Sequence, residues 1–157
     1  MALMITKHIA LLASLFLFAS CNMNIVYDEQ VPVEDGKWPF DQSARFDVDI
    51  SDTLNGFDFY LLLRNDDRYR YSNLFIFMTT RFPNGNLTRD TLEFVLADAE
   101  GRWLGKGWGS IRENDILLRE NLNFPLAGKY EFILQQAMRE DTLVGITDVG
   151  LRIEKNN

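Results

Sequence analysis

Apolar and polar residues alternate along much of the chain after residue 41. The clearest example is the segment in which Phe46, Val48 and Ile50 are separated by charged residues. A period of two places successive side chains on opposite faces of an extended backbone, so this segment is predicted to be a β-strand with one buried face. Similar strand patterns occupy 57–63, 73–82, 90–97, 129–138 and 147–154, and 114–121 is either one helical turn or a further strand.

Turn-forming residues separate these segments, at Pro83-Asn84-Gly85, around Gly101 and at Ala127-Gly128. Gly101 ends the run Asp98-Ala99-Glu100-Gly101, which has the composition of a hairpin turn whose glycine takes a positive φ. No segment shows a convincing amphipathic-helix period. The pattern therefore predicts an all-β domain over 42–157, an antiparallel β-sandwich of jelly-roll or immunoglobulin-like type.

The first twenty residues have the organisation of a secretory signal peptide. A short segment containing Lys7 and His8 precedes the apolar run 9–18, which is shorter than the roughly 20 residues that a membrane-spanning helix needs. Ala19-Ser20-Cys21 then resembles the cleavage site of bacterial lipoproteins, at which the cysteine becomes the new N-terminus and is acylated. An unmodified cysteine is the alternative, although the chain has no second cysteine to pair with it. We expect Cys21 to carry the acyl chains that anchor the protein in a membrane.

The segment 21–41 is polar and acidic and contains two prolines and a glycine. It is predicted to be a tether between the acylated cysteine and the domain. Tyr27 and Trp38 stand out in this segment. We expect them to pack on the flank of the domain, since large aromatic side chains are usually buried. Docking of a partner by these two side chains is the alternative.

The composition excludes several kinds of site. The chain has one histidine, His8, and one cysteine, Cys21. The mature protein therefore lacks the histidine and free thiol of a Ser-His-Asp triad, a Cys-His dyad or the usual zinc sites. Removal of the signal peptide takes away Lys7 and no acidic residue, which changes the formal net charge from −7 to −8. This charge has the wrong sign for holding a phosphate backbone. We expect no enzymatic activity, no cofactor, no bound metal and no nucleic-acid partner.

The glycine-rich segment 101–109 contains two of the three tryptophans, Trp103 and Trp108. It is not a phosphate-binding loop, because such a loop needs a serine or threonine directly after its Gly-Lys pair. We predict a glycine-bulged strand in which both tryptophans pack against a neighbouring backbone. The alternative is an exposed aromatic platform with Arg102 and Lys106 at its rim, which would contact a partner protein or stack on a sugar ring.

The segment 135–139 combines two adjacent amides with a basic residue at the end of a predicted strand. One of Gln135 and Gln136 must face the core, where a buried amide needs hydrogen-bond partners. We expect Gln136 to bond to a neighbouring strand or bulge and Arg139 to pair with an acid such as Asp148. A polar patch for a partner, formed by Gln135, Gln136 and Arg139, is the alternative.

Several short blocks of residues each identify a protein family only weakly, but their combination is specific. The blocks are Leu63-Arg64-Asn65, Tyr69, Tyr71-Ser72-Asn73-Leu74, Asp90-Thr91-Leu92-Glu93, Leu96-Ala97-Asp98, 101–107, Gln135-Gln136-Ala137-Met138-Arg139 and 145–152. In this combination and order, over nearly the whole mature chain, the sequence resembles the gliding-motility lipoprotein GldH family of the Bacteroidetes.

The resemblance implies a lipoprotein of the cell envelope that is associated with the gliding machinery and linked to type IX secretion. It implies no known enzymatic activity, and it makes other gliding or secretion-system envelope proteins the expected partners. We expect attachment to the outer membrane facing the periplasm, because residues 22–24 lack a run of acids. A glycan-binding lipoprotein that uses Trp103 and Trp108 is the alternative. The arrangement of these two tryptophans, exposed side by side or buried singly, distinguishes the two hypotheses.

Overall fold

The computed structural model describes residues 24–156. Within them, one short 3-10 helix spans Glu34–Gly36 and ten β-strands account for most of the backbone. The strands are β1 (Ile25–Pro32), β2 (Lys37–Pro39), β3 (Ala44–Ile50), β4 (Gly56–Asn65), β5 (Asn73–Arg81), β6 (Leu87–Val95), β7 (Arg112–Asn123), β8 (Gly128–Gln136), β9 (Thr142–Val144) and β10 (Ile146–Lys155). No helix in this part of the chain is long and apolar enough to cross a membrane.

Two four-stranded antiparallel sheets face each other. The first has the order β1-β10-β4-β7 and the second the order β3-β8-β5-β6, while β2 and β9 form a small ribbon. The chain passes repeatedly from one sheet to the other, and this strand order is that of a jelly roll. The predicted β-sandwich is confirmed, and of the two types considered the topology is the jelly roll. The ambiguous segment 114–121 belongs to strand β7.

The alternation of apolar and polar residues that predicted the strands matches the alternation of buried and exposed side chains in the structure. In β3, Phe46, Val48 and Ile50 are buried while the charged residues between them are exposed. Aromatic and aliphatic side chains from both sheets meet these residues in one core, which includes Phe57, Leu61, Leu74, Tyr130, Leu134 and Leu151. Burial of this apolar surface is the main free-energy term that holds the two sheets together.

The sandwich begins at Ile25 rather than at residue 42, so the tether predicted over 21–41 is wrong for most of its length. Strand β1 pairs with β10 along its whole length, for example Val31 with Val149. Sequence alternation is weak here because β1 is an edge strand whose residues are mostly exposed. The signal peptide and Cys21 lie outside the described residues.

The expected packing of the two aromatic residues in this segment is confirmed. Trp38 in β2 is buried, and its indole Nε1 donates a hydrogen bond to the carbonyl oxygen of Gln42 at 2.8 Å. Tyr27 in β1 is half-buried and lies edge-on to Phe46, with 6.5 Å between ring centroids. Both side chains therefore fix the N-terminal segment to the domain.

The sandwich has two ends that differ in composition. We call the end at which β1 begins and β10 finishes the proximal end, since it is the one next to the N-terminal segment; there Asn24 accepts a hydrogen bond from the backbone of Lys155. The loops 51–55, 82–86 and 124–127 share this end. The opposite, distal end carries the loops 66–72, 96–111 and 137–141 and the β2-β9 ribbon.

Candidate docking surface

The long loop between β6 and β7 begins with the predicted hairpin turn. The Asp98 carboxylate accepts hydrogen bonds from the backbone N–H groups of Glu100 and Arg102, and Gly101 has a φ of +80°. These bonds, the Arg102 backbone N–H first among them, lower the pKa of the Asp98 carboxyl. The Arg102 guanidinium also contacts Asp98, with 2.8 Å between Nε and Oδ2. Arg102 is therefore engaged within its own turn.

Trp103 follows this turn and packs onto the domain. It pairs with Ala97 in an isolated β-bridge, and its half-buried ring lies 6.3 Å from that of Tyr69. Tyr69 is buried, which raises the pKa of its hydroxyl, and that hydroxyl donates to the carbonyl oxygen of Asn73 at 2.7 Å. Gly145 permits this packing, because a Cβ there would lie 2.3 Å from the Tyr69 backbone nitrogen. Trp103 is thus a packed residue, as predicted, but the predicted strand over 101–109 is wrong, because this segment forms only isolated bridges at Trp103 and Lys106.

Trp108 is the opposite case, and the prediction that it packs against the backbone is wrong. Its side chain is 97% exposed. Lys106 and Glu113 exchange two backbone hydrogen bonds, of 2.9 and 2.6 Å, which close a tight loop with Trp108 near its tip. Gly107 allows the loop to close, because a Cβ there would lie 2.2 Å from the carbonyl oxygen of Ile111. The fold thereby holds a large aromatic ring in solvent.

Beside this loop lies a surface depression whose lining includes exposed apolar side chains. It has a volume of about 480 Å³ and is lined by Val95, Leu104 and Leu117, of which Leu104 is 58% exposed. Lys106 and Glu113, the two residues that close the Trp108 loop, also line it, and Asp115 adds a further charge. We call Val95, Leu104, Leu117 and Trp108 the distal patch.

The two glutamines of 135–139 have separate structural roles. Gln136 is fully buried; its Nε2 donates to the Glu140 carbonyl at 2.7 Å, and its Oε1 accepts from the Met138 N–H at 2.9 Å. It is therefore satisfied by the turn after its own strand β8, and not by the neighbouring strand or bulge that was expected. Gln135 faces outward and donates to the Phe40 carbonyl at 2.5 Å.

Arg139 does not form the expected ion pair with Asp148. It is exposed, and the salt bridges found between residues 24 and 156 do not include one between these two side chains. The reason is positional, because Arg139 lies in the turn after β8 whereas Asp148 pairs with Pro32 and Arg64 in the other sheet. Gln135, Gln136 and Arg139 do not line the depression beside the distal patch.

A second concavity opens in the proximal half, between the edge strands β6 and β7. It has a volume of about 290 Å³, and its walls are largely aromatic, with Phe59, Phe82, Phe124, Tyr130 and Phe132 among them. Its polar lining residues are Thr80, Thr88, Asp90, Arg119 and Asn123. Among residues 24–156, no group of three or more histidine, cysteine, aspartate or glutamate side chains is arranged to hold a metal ion.

Sequence reasoning selected Trp108 and Lys106 but missed the apolar residues beside them. A signal was present, because Val95 falls on the same strand face as the exposed Arg89 and Glu93, and Leu117 on the same face as Glu113 and Asp115. An apolar residue on the polar face of an alternating strand is a candidate contact residue. That the two residues share one depression with Leu104 depends on the loop between the sheets.

The arrangement does not give the pair of tryptophans that the glycan hypothesis needs. Trp103 is half-buried against Tyr69, Trp108 lies at a loop tip, and the aromatic pairs of the described residues do not join one to the other. They are neither exposed side by side nor both buried between the sheets. What the distal end offers is a single exposed indole, on a loop whose closing residues Lys106 and Glu113 line a depression with both apolar and charged side chains.

Comparison with solved structures gives two similarities of low sequence identity. A carbohydrate-binding module specific for non-crystalline cellulose is 13% identical with a TM-score of 0.47, covering 83% of this chain and 73% of that one. Dimeric latent PorU from Porphyromonas gingivalis is 9% identical with a TM-score of 0.35, covering 89% of this chain and 14% of that one.

Comparison of sequences gives much stronger matches. The GldH lipoprotein family model matches residues 25–153. A gliding motility lipoprotein GldH homolog from Christiangramia forsetii is 39% identical over 151 residues, which cover 92% of each chain. The gliding motility lipoprotein GldH of Flavobacterium johnsoniae is 35% identical over 156 residues, covering 95% of this chain and 96% of that protein. With a family match over nearly all of the described residues and relatives of equal length, the chain belongs to the GldH lipoprotein family.

Proposed function

We propose that the protein is a lipid-anchored component of the gliding-motility machinery in the cell envelope, linked to type IX secretion. It is acylated at Cys21, attached to the outer membrane on its periplasmic side, and acts without catalysis by docking other envelope proteins of that system. Membership of the GldH family and the gliding-motility names of its relatives support this assignment.

The observation that carries the docking role is the distal patch. The Trp108 indole is 97% exposed, on a loop whose closing residues line a depression with exposed apolar side chains, although burying one large apolar side chain is worth about 1.5–3 kcal/mol. Exposed apolar groups rimmed by charges are typical of interaction sites, and tryptophan is enriched among the residues that dominate binding energy. Lys106, Glu113 and Asp115 would orient a partner through complementary charge.

The position of the patch fits an anchored protein. The anchor precedes β1, which begins at the proximal end, whereas the Trp108 loop lies at the distal end. A ten-residue strand such as β4 is about 33 Å long, so the distal loops stand roughly that far from the start of the domain. A partner could therefore approach the distal patch without meeting the lipid surface.

Site-specific photo-crosslinking in cells tests the proposal. We expect a photoreactive amino acid at position 108 to form adducts with other envelope proteins of the gliding or secretion system. The same residue at position 144, where Val144 is also exposed at the distal end but outside the patch, should give few. A Cys21→Ala chain should lose the adducts. Absence of protein adducts at position 108 in the anchored chain would contradict a docking role for this surface.

A further inference from the structure

The proximal end also exposes large apolar side chains. Leu54 lies in the loop between β3 and β4 and is 88% exposed, and Leu126 projects from the loop between β7 and β8. Leu87 begins β6 and Leu122 lies near the end of β7, and both are exposed. We call these four residues the proximal leucines. They come from four different places in the chain, and the fold gathers them at one end.

The two loops that carry Leu54 and Leu126 are held in place by hydrogen bonds, so the exposure of these leucines is a property of the fold. The Asn123 side-chain amide donates to the carbonyl oxygens of Leu54 and Asn55 at 3.0 and 3.1 Å. The Asp52 carboxylate accepts a hydrogen bond from the Leu54 backbone N–H at 3.0 Å. The backbone of Leu126 is bonded in turn to the hydroxyl of Tyr130, which donates to its carbonyl at 2.8 Å. Neither loop needs a leucine side chain for these bonds, since Leu54, Asn55 and Leu126 take part in them only through backbone atoms.

Charges at the proximal end are largely paired with one another. Lys155 contacts Asp52 and Lys129 contacts Asp47, each with 2.8 Å between the ammonium nitrogen and a carboxylate oxygen. The end is therefore not a basic patch of the kind that binds anionic lipids. Binding of the proximal end to a lipid surface would therefore depend on its exposed apolar side chains.

The path of the chain places this end next to the anchor. Residue 24 pairs with the end of β10, and only residues 22 and 23 separate it from Cys21. At roughly 3.3 Å per residue, the three steps along the chain from Cys21 to Asn24 span at most about 10 Å. This distance is comparable with the polar headgroup layer of a bilayer, which accounts for about 5–8 Å on each side. An acylated Cys21 therefore holds the proximal end at the lipid surface.

We propose that the proximal end docks directly onto the phospholipid bilayer, with the proximal leucines at the boundary between headgroups and acyl chains. The inference rests on the lipid anchor of the proposed function. It assigns the domain a fixed orientation, with the distal patch turned away from the lipid. A domain held in this way presents the patch at a constant height, whereas a domain on a flexible tether would not.

Depth-dependent quenching of two labelled full chains tests this orientation. Because acylation consumes the thiol of the one cysteine, a Leu54→Cys substitution supplies a single labelling site, and Leu104→Cys supplies a matched exposed leucine site at the distal end. The acylated proteins are reconstituted in phosphatidylcholine vesicles with an environment-sensitive fluorophore. We expect quenching by spin-labelled lipids to be several-fold stronger at position 54 than at 104, and quenching by aqueous iodide to show the reverse order.

The outcomes separate the inference from the anchor on which it rests. Intact mass of each protein shows whether Cys21 carries acyl chains, and an unacylated chain would overturn both. An acylated chain whose two labels are equally quenched by iodide would overturn the docked orientation alone. Adducts to a protein, rather than to lipid, from a photoreactive residue at position 54 in cells would also overturn it. Circular dichroism of each variant checks that the sandwich is retained, as expected for a substitution at an exposed side chain.

Discussion

The two ends of the sandwich are built by different physical means. Toward the proximal end the core is aromatic: the Phe124 ring lies 5.1 Å from Phe57, 5.4 Å from Phe59 and 4.9 Å from Tyr130 between ring centroids. At the distal end the core includes polar groups. The buried polar and charged residues among those described are Asn65, Asp66, Asn114 and Gln136, and all four lie at the distal ends of their strands or in the adjoining loop.

The contrast shows how one fold can have a compact aromatic end and, at the other end, a surface built on longer loops. Burial of apolar surface is a non-directional interaction, and the loops at the aromatic, proximal end are short. Buried amides and carboxylates need partners with defined geometry, so they fix the longer distal loops in one conformation. Asn114, for example, donates to Asn65 Oδ1 at 3.0 Å, which links the beginning of β7 to the end of β4 beneath the loop that carries Trp108. A docking surface on loops depends on this kind of support.

The largest effect is expected where the aromatic end is opened. Phe124→Ala removes a ring that is buried against three others, and should lower the free energy of unfolding by about 3–5 kcal/mol. Leu126→Ala, two residues along in the same loop but exposed, should lower it by less than about 0.5 kcal/mol. Urea denaturation followed by fluorescence measures both. Equal losses of unfolding free energy for the two variants would contradict the conclusion that aromatic packing stabilises the proximal end.

The next effect concerns the polar support of the distal end. Gln136→Leu fills the same space but leaves the Met138 N–H and the Glu140 carbonyl without their partner, at a cost of about 2–3 kcal/mol. Gln135→Leu is the matched control on the adjacent, outward-facing position, and should cost much less because its hydrogen bond to Phe40 is solvent-accessible. Hydrogen exchange should show faster exchange in the turn 137–141 only for the Gln136 variant.

A smaller effect should depend on pH. Hydrogen bonds from Arg68, including one of 2.6 Å to Asp66 Oδ2, lower the pKa of the Asp66 carboxyl below its ordinary value of 3.8. A depressed pKa in the folded state stabilises the protein above about pH 4, and this contribution is lost as the pH falls toward the folded value. Because Arg68 is half-exposed, solvent screens this ion pair and its contribution to stability is small.

The matching measurement compares two chains at two pH values. Asp66→Asn should lower the urea midpoint at pH 7 and have a smaller effect at a pH well below 4, because the stabilisation is lost as the pH falls toward the folded pKa. Asp67→Asn, at an exposed neighbouring position, serves as the control. An equal loss of stability for Asp66→Asn at both pH values would show that the ion pair contributes nothing.

The smallest effect on stability should come from the distal patch itself. Trp108→Ser removes an indole that the domain does not bury, so the free energy of unfolding should change by less than about 0.5 kcal/mol. Trp103→Ser, in contrast, should destabilise the domain because its ring packs on Tyr69. Thermal unfolding of the two variants separates them. A large loss for Trp108→Ser would mean that the ring supports the fold rather than a contact outside it.

Much of the architecture follows from local sequence. Alternation in 46–50 specified a strand and its buried face, because period two is enforced by the backbone of any extended segment. The turn at Asp98–Gly101 was equally local, since a carboxylate that accepts nearby N–H groups and a glycine at positive φ depend only on neighbouring residues. Composition alone excluded histidine- and thiol-based sites from residues 22–157, since the one histidine is His8 and the one cysteine is Cys21.

Tertiary structure decided what depends on contacts distant in sequence. Segment 25–32 is a strand because it pairs with β10, more than 110 residues away, and its own pattern is that of a polar linker. The loop between β6 and β7 brings the Trp103 ring to Tyr69 and leaves the Trp108 ring in solvent. The path of this loop therefore decided which of the two tryptophans packs on the domain. Residue type and spacing determine local conformation, but the solvent exposure of a side chain depends on which distant parts of the chain pack against it. For this reason the sequence established the fold class and the candidate anchor, and the assembled sheets alone revealed the distal patch and the proximal leucines.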